Sequence, residues 1–270
     1  MIFPIEYFIG LILIGIFAGL ASGFLGVGGG FLIVPLQYFL LQYIGVESDL
    51  AMLISIGTSL AIIIPTSLSS AYKHTRTMDT VAKPGIHLGL FGIIGGILGG
   101  FTASMLPSRV LEIIFGILLL FVTVNNVLTI NKERESAKLH LNIVTTAIIG
   151  VSVGFLSGLL GIGGGVFLIA ILTALLGFSM IEAIGTSSVF ISLTAIGGFL
   201  SYMVTGWGVS TFPYSIGYVS IINFVLITMF SVPMASVGAR LAHKVPQKKL
   251  KIVFSIVVLY MALKMLGIVP

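Results

Sequence analysis

GLASGFLGVGGG at residues 19–30 and GFLSGLLGIGGG at residues 154–165 decide the fold. Eight of the twelve paired positions are identical, and each stretch ends on three consecutive glycines inside otherwise apolar sequence. Glycine in a helix interior costs about 1 kcal/mol relative to alanine, so each run predicts a broken helix. Irregular backbone in an apolar chain is tolerated only where protein buries it or where it lines a polar cavity. The same break occurs twice, which predicts two related halves.

Two further matches follow in the same order. Ile56-Gly57-Thr58-Ser59 pairs with Ile184-Gly185-Thr186-Ser187. LPSRVLEIIFGILLL (106–120) pairs with VPQKKLKIVFSIVVL (245–259), with six identities in fifteen. The halves are therefore expected at 1–131 and 140–270, joined by a basic linker at 132–139.

Composition sets the solvent. Of 270 residues, 57% are hydrophobic and 8% are charged. A soluble domain carries about 25% charged residues, so this chain is expected in a bilayer. Glu6 precedes the first apolar run and no Lys or Arg does, so that run lacks the basic flank of a secretory signal and is expected to be retained. Ten apolar segments are predicted at 5–26, 29–44, 50–71, 84–105, 109–130, 140–160, 164–178, 182–205, 213–240 and 248–268. Segments two and seven are short for the roughly 30 Å hydrocarbon core. Each is expected either to start within the membrane or to form a re-entrant hairpin with the segment before it. The fold class is thus an all-α polytopic membrane protein, with transmembrane or re-entrant segments in two five-segment repeats. Short broken helices mark the glycine tracts.

Five segments per half is an odd number, so the second half should be inverted. Charge agrees. Lys73, Arg76, Lys83, Lys132, Arg134, Lys138, Arg240, Lys244, Lys248, Lys249 and Lys251 fall on one side, eleven of the thirteen Lys and Arg. Only Arg109 and Lys264 fall on the other. The positive-inside rule makes the basic side cytoplasmic and places both termini outside a bacterial or archaeal inner membrane. A model with each glycine tract midway along one continuous span would put the basic loops on opposite sides.

The tracts also suggest chemistry. A helix that restarts after a break presents free N–H groups and a positive dipole end, which attract anions. Inverted-repeat transporters place substrate at such ends. The candidate binding set is Gly28, Gly29 and Gly30 with Gly163, Gly164 and Gly165. Beside them stand the hydroxyls of Ser22 and Ser157, and of Thr58, Ser59, Thr186 and Ser187. Hydroxyls donate to oxyanions without a fixed charge. The competing reading is that they bond the preceding helical turn. The four-residue glycine spacings at Gly15, Gly19 and Gly23, at Gly92, Gly96 and Gly100, and at Gly150, Gly154 and Gly158 point instead to close helix packing. Gln37, Asn125, Asn126 and Asn223 read as interhelical hydrogen-bonding residues.

Several functions are disfavoured. No cysteine is present. His74, His87, His140 and His243 form no metal-ligand spacing. The acids fall in loops or near segment ends, which speaks against a cation site. Neither tract continues into GK[ST], and no HExxH or GxSxG occurs, so neither a nucleotide loop nor an enzyme is expected. No cofactor and no nucleic-acid partner are expected.

These motifs resemble the sulfite exporter TauE/SafE family of membrane permeases. The two glycine motifs, the two GTS motifs (57–59 and 185–187), the tail PMASVGARLAHKVPQKKLKIVFSIVVL (233–259) and the loop SAYKHTRTMD (70–79) carry the resemblance. It implies a permease for a sulfur oxyanion or sulfonate, such as sulfite, thiosulfate or an organosulfonate. The residues themselves imply a small anion. Alternating-access export is the leading expectation, with an anion channel and a non-transporting membrane scaffold as alternatives.

Overall fold

A computed structural model describes residues 3–25, 29–77, 80–128, 142–242 and 247–269. The linker 132–139 lies outside them. The described chain is helical, with one small hairpin. The helices are α1 (Ile5–Leu25), α2 (Gly30–Tyr43), α3 (Ser48–Thr77), α4 (Ala82–Ser104), α5 (Ser108–Leu128), α6 (Ile143–Leu160), α7 (Gly165–Ala174) and α8 (Met180–Thr205). Strands β1 (Ser215–Ile216) and β2 (Val219–Ser220) precede α9 (Ile221–Ala242) and α10 (Gln247–Met265).

Among the described residues, six stretches are long and apolar enough to cross a membrane: Ile5–Gly23, Ser48–Arg76, Ala82–Ser104, Ile143–Leu160, Ile181–Thr205 and Ile221–Gly238. The two post-glycine helices are short. α2 has 14 residues and α7 has 10. They span about 21 Å and about 15 Å, so α7 cannot cross the hydrocarbon core alone.

The two longest helices, α3 with 30 residues and α8 with 26, pack against each other at the centre. α1 packs along α9, and α6 along α4. α5 pairs with α10, α2 lies on α3, and α7 lies on α8. Outside this core, Phe17, Leu98, Phe121, Ile148 and Met229 are exposed. Such a large apolar exterior suits lipid rather than water.

Glycines set the closeness of the α4–α6 and α1–α9 contacts. A Cβ on Gly150 would sit 2.6 Å from the Leu88 carbonyl oxygen, and one on Gly15 would sit 2.9 Å from that of Ile227. Gly154 and Gly158 face the backbone of Gly92 and Gly96 in the same way. The packing reading therefore holds for Gly15, Gly19, Gly92, Gly96, Gly100, Gly150, Gly154 and Gly158.

One end of the bundle collects the first and the last of the described residues. Phe3 lies 5.6 Å from Phe212, ring centre to ring centre. Ser108 N–H donates to Asp49 at 2.7 Å, tying the start of α5 to the start of α3. Arg109 donates to the Leu266 carbonyl at 3.0 Å, which satisfies an orphan acceptor at the end of α10. Lys83 and Arg76 stand at the opposite end, where α3 runs into α4.

The largest departures from the expected segment limits are at the end of α3 and the start of α9. α3 continues six residues past the apolar run to Thr77, carrying His74 and Arg76 in its last turn. Basic side chains there complement the negative end of the helix dipole. The ninth segment begins as a hairpin rather than a helix. Tyr214 (φ 54°) and Gly217 (φ 59°) turn the chain before α9 starts at Ile221.

Candidate functional site

The two glycine tracts meet beside the middle of α3 and α8. A Cβ on Gly30 would lie 2.9 Å from the Gly161 carbonyl oxygen and 3.0 Å from Ile162 Cα. These backbones touch with no room for a side chain. Ile63, midway along α3, closes on Gly30, and Ile191, midway along α8, closes on Gly165. Ile63 also faces Gly163.

Local conformation explains the glycines. Gly29 and Gly164 are the N-caps of α2 and α7, with φ of 75° and 71°. Side chains with a Cβ rarely adopt that left-handed region. Neither cap makes a side-chain hydrogen bond, and neither helix has an acid in its first turn. The positive dipole end of each helix thus points at its own tract, although in α2 the Leu32 N–H already donates to the Gly29 carbonyl at 3.0 Å. Gly28 lies outside the described residues.

The hydroxyls divide into two groups. Three brace the structure. Ser59 donates to the Gly161 carbonyl at 2.7 Å, and Ser187 reaches the Gly165 carbonyl at 3.4 Å. Thr58 accepts from the Ser220 N–H at 3.0 Å. Two are unpaired. Ser157 and Thr186 are fully buried, and neither hydroxyl has a hydrogen-bond partner among the described residues. Ser157 stands one turn before the second tract, where its carbonyl caps Gly161 N–H at 2.8 Å. Thr186 precedes Ser187 in α8. Ser22 is half-buried, and its Cβ packs toward Gly29.

Sequence reasoning missed four contributors. Ile63 and Ile191 each stand four residues beyond the GTS serine, so the repeat reads GTSxxxI in both halves. That signal was available. Tyr202 donates to the Gly158 carbonyl at 3.1 Å and holds α6 near its break. The hairpin is the fourth. Tyr218 N–H donates to the Tyr202 carbonyl at 3.1 Å, and Tyr218, Val219 and Ser220 are buried against α3 and α8. This covers the GTS motif of α3 from the end that bears the termini. At the other end Val81, wholly buried, packs on Gly185 of the second GTS motif, with His74 beside it.

Long apolar helices with a lipid-suited exterior define a multi-pass membrane protein, and the family it matches and its relatives' names place it in the transporter class. The chain belongs to the sulfite exporter TauE/SafE family, whose model matches residues 11–265. A probable membrane transporter protein of Haemophilus influenzae is 32% identical, over 94% of this chain and 96% of its own length. One from Methanocaldococcus jannaschii is 30% identical, over 95% and 94%. One from Bacillus subtilis is 30% identical, over 74% and 79%. No solved structure matches significantly.

Proposed function

We propose that this protein is a secondary transporter, an exporter, of a small sulfur-containing anion such as sulfite, thiosulfate or an organosulfonate. The anion binds between the glycine tracts. Backbone N–H groups at the starts of α2 and α7 and the hydroxyls of Ser157 and Thr186 receive it. The observation that carries this reading is the pair of fully buried hydroxyls, Ser157 and Thr186, that have no hydrogen-bond partner among the described residues, in the two repeats whose short helices start at left-handed glycines. A buried polar group without a partner costs about 1–3 kcal/mol. In a carrier that cost is recovered when substrate supplies the acceptor. The family's name supports a sulfur oxyanion in particular.

Transport proceeds by alternating access, with residues 1–131 and 140–270 as inverted repeats. The exchange of helix partners supports this: the first helix of each half packs on the fourth of the other, α1 on α9 and α6 on α4. The packed tracts correspond to an occluded state. Withdrawal of the hairpin 215–220 opens the end that bears the termini, and withdrawal of Val81 from Gly185 opens the basic, cytoplasmic end. Membrane potential drives an anion outward from a negative cytoplasm, by about 2.3 kcal/mol per charge per 100 mV.

The test uses opposed signs. Ser157→Ala with Thr186→Val removes two unsatisfied groups, so the double variant should melt at the same temperature as the wild type or higher. The same variant should raise the KM for the transported anion by about a hundredfold or more, since each lost hydrogen bond to a charged group is worth about 1.5–3 kcal/mol and each 1.4 kcal/mol is a factor of ten. Thermal unfolding in detergent and flux into proteoliposomes read the two effects separately. Unchanged KM would remove both hydroxyls from the site.

A further inference from the structure

Another buried polar group without a partner among the described residues lies on α2, beyond the tract. Gln37 is completely buried, and its Nε2 has no hydrogen-bond partner among the described residues. Its other amide atom is pinned: Oε1 accepts from Asn223 Nδ2 at 3.0 Å. Asn223 is fixed in turn, since its Oδ1 accepts from the Tyr7 hydroxyl and its N–H donates to Ser220 Oγ at 3.3 Å. Turning both amides over would leave the Tyr7 proton and the Gln37 carbonyl both unmatched. The orientation with Nε2 as the free donor satisfies more groups.

The position of this donor is informative. Gln37 follows Gly30 by seven residues, two helical turns, and so shares its face about 10 Å along the axis. A long helical side chain leans back toward its own N-terminus, which carries the amide toward the tract. Ser220 links the same network to Thr58 in α3. The counterpart of Gln37 in the second half, aligned on Gly30 and Gly165, is Leu172, which is buried and apolar. The polar group thus exists on one side of the tracts only, toward the end that bears the termini.

We infer that Gln37 is a specificity-determining residue that donates from Nε2 to the anion on the hairpin side of the tracts. This inference rests on the proposed anion site. It adds a neutral donor that rewards an anion with acceptor atoms on more than one side. The group costs stability while empty, and its orientation is held by three other residues. Mere interhelical bonding would require only the Oε1 contact.

Potential-driven flux of sulfite and of sulfoacetate into proteoliposomes at pH 8, together with melting temperature, tests it. Gln37→Met keeps the volume and loses both amide atoms. Gln37→Glu keeps an acceptor for Asn223 and loses the NH2 donor. Both variants should raise the KM of the transported anion by about tenfold or more, with maximal rate per folded protein less affected. A wild-type KM in Gln37→Met overturns the inference. So does a wild-type KM in Gln37→Glu, since that variant preserves the bond a purely structural residue would need. Flux in the wild type with no KM change in the variants defeats this inference alone. Absence of any anion flux in the folded wild type defeats the anion site and the role of Gln37 with it.

Discussion

Gly30→Ala will slow anion turnover by about tenfold to a hundredfold while the protein remains folded. The added methyl meets the Gly161 carbonyl oxygen at 2.9 Å and Ile162 Cα at 3.0 Å. Both are backbone atoms of the other tract and cannot rotate aside. Inserting a methyl into a packed site costs about 1–3 kcal/mol, and each 1.4 kcal/mol is a factor of ten in a population. The penalty falls on the state in which the tracts touch, the occluded state of the proposed alternating-access cycle. Gly165→Ala supplies the contrast. Its methyl meets the flexible end of Ile191 at 2.5 Å and Ser187 Oγ at 3.3 Å. Those side chains can shift, so turnover should fall by no more than about threefold. Equal rates for Gly30→Ala and wild type would show that the tracts need not meet.

Gly158→Leu will have the largest effect on folding. Gly158 faces the backbone of Gly96 across the α4–α6 contact, and both helices are committed there by further glycines at Gly92 and Gly154. Separating the helices to admit a leucine would also strip α4 from α8, which packs on its other side. The expected loss is about 3 kcal/mol or more, the upper end of overpacking penalties. Thermal unfolding in detergent should register it as a marked fall in melting temperature. Ile148→Leu, on an exposed face of α6, should change nothing measurable. A wild-type melting temperature for Gly158→Leu would mean that α4 and α6 are not in contact.

Much of this architecture is written in local sequence. The triple glycines place the ends of α2 and α7, because three consecutive residues without a Cβ cannot sustain a helix. Helix limits elsewhere follow hydropathy until something other than hydropathy decides. At the end of α3 the backbone hydrogen bonds continue although the side chains have turned polar, so Thr77 closes a helix whose apolar run stopped near residue 71. Before α9, Tyr218 and Val219 look like the start of a span, yet the backbone at Tyr214 and Gly217 turns them into a buried hairpin.

The candidate site was legible as a set of residues and not as a division of labour. Thr58 and Thr186 occupy equivalent repeat positions, but Thr58 is taken by the hairpin through Ser220 while Thr186 is unpaired. That difference depends on the hairpin, which stands where the first half has only the short connection between α3 and α4. Gln37 could be read as a structural amide from sequence, since only its neighbours reveal that one of its two polar atoms is satisfied and the other is not.

The most direct test of the proposed anion transport is flux into proteoliposomes under an imposed potential, comparing sulfite, thiosulfate and sulfoacetate with sulfate and a divalent cation. Saturable flux of a sulfur-containing anion, rising with a potential that draws anions across and absent for the cation, is the expected result. Vesicles containing folded protein that pass none of these anions, or that pass the cation instead, would contradict it.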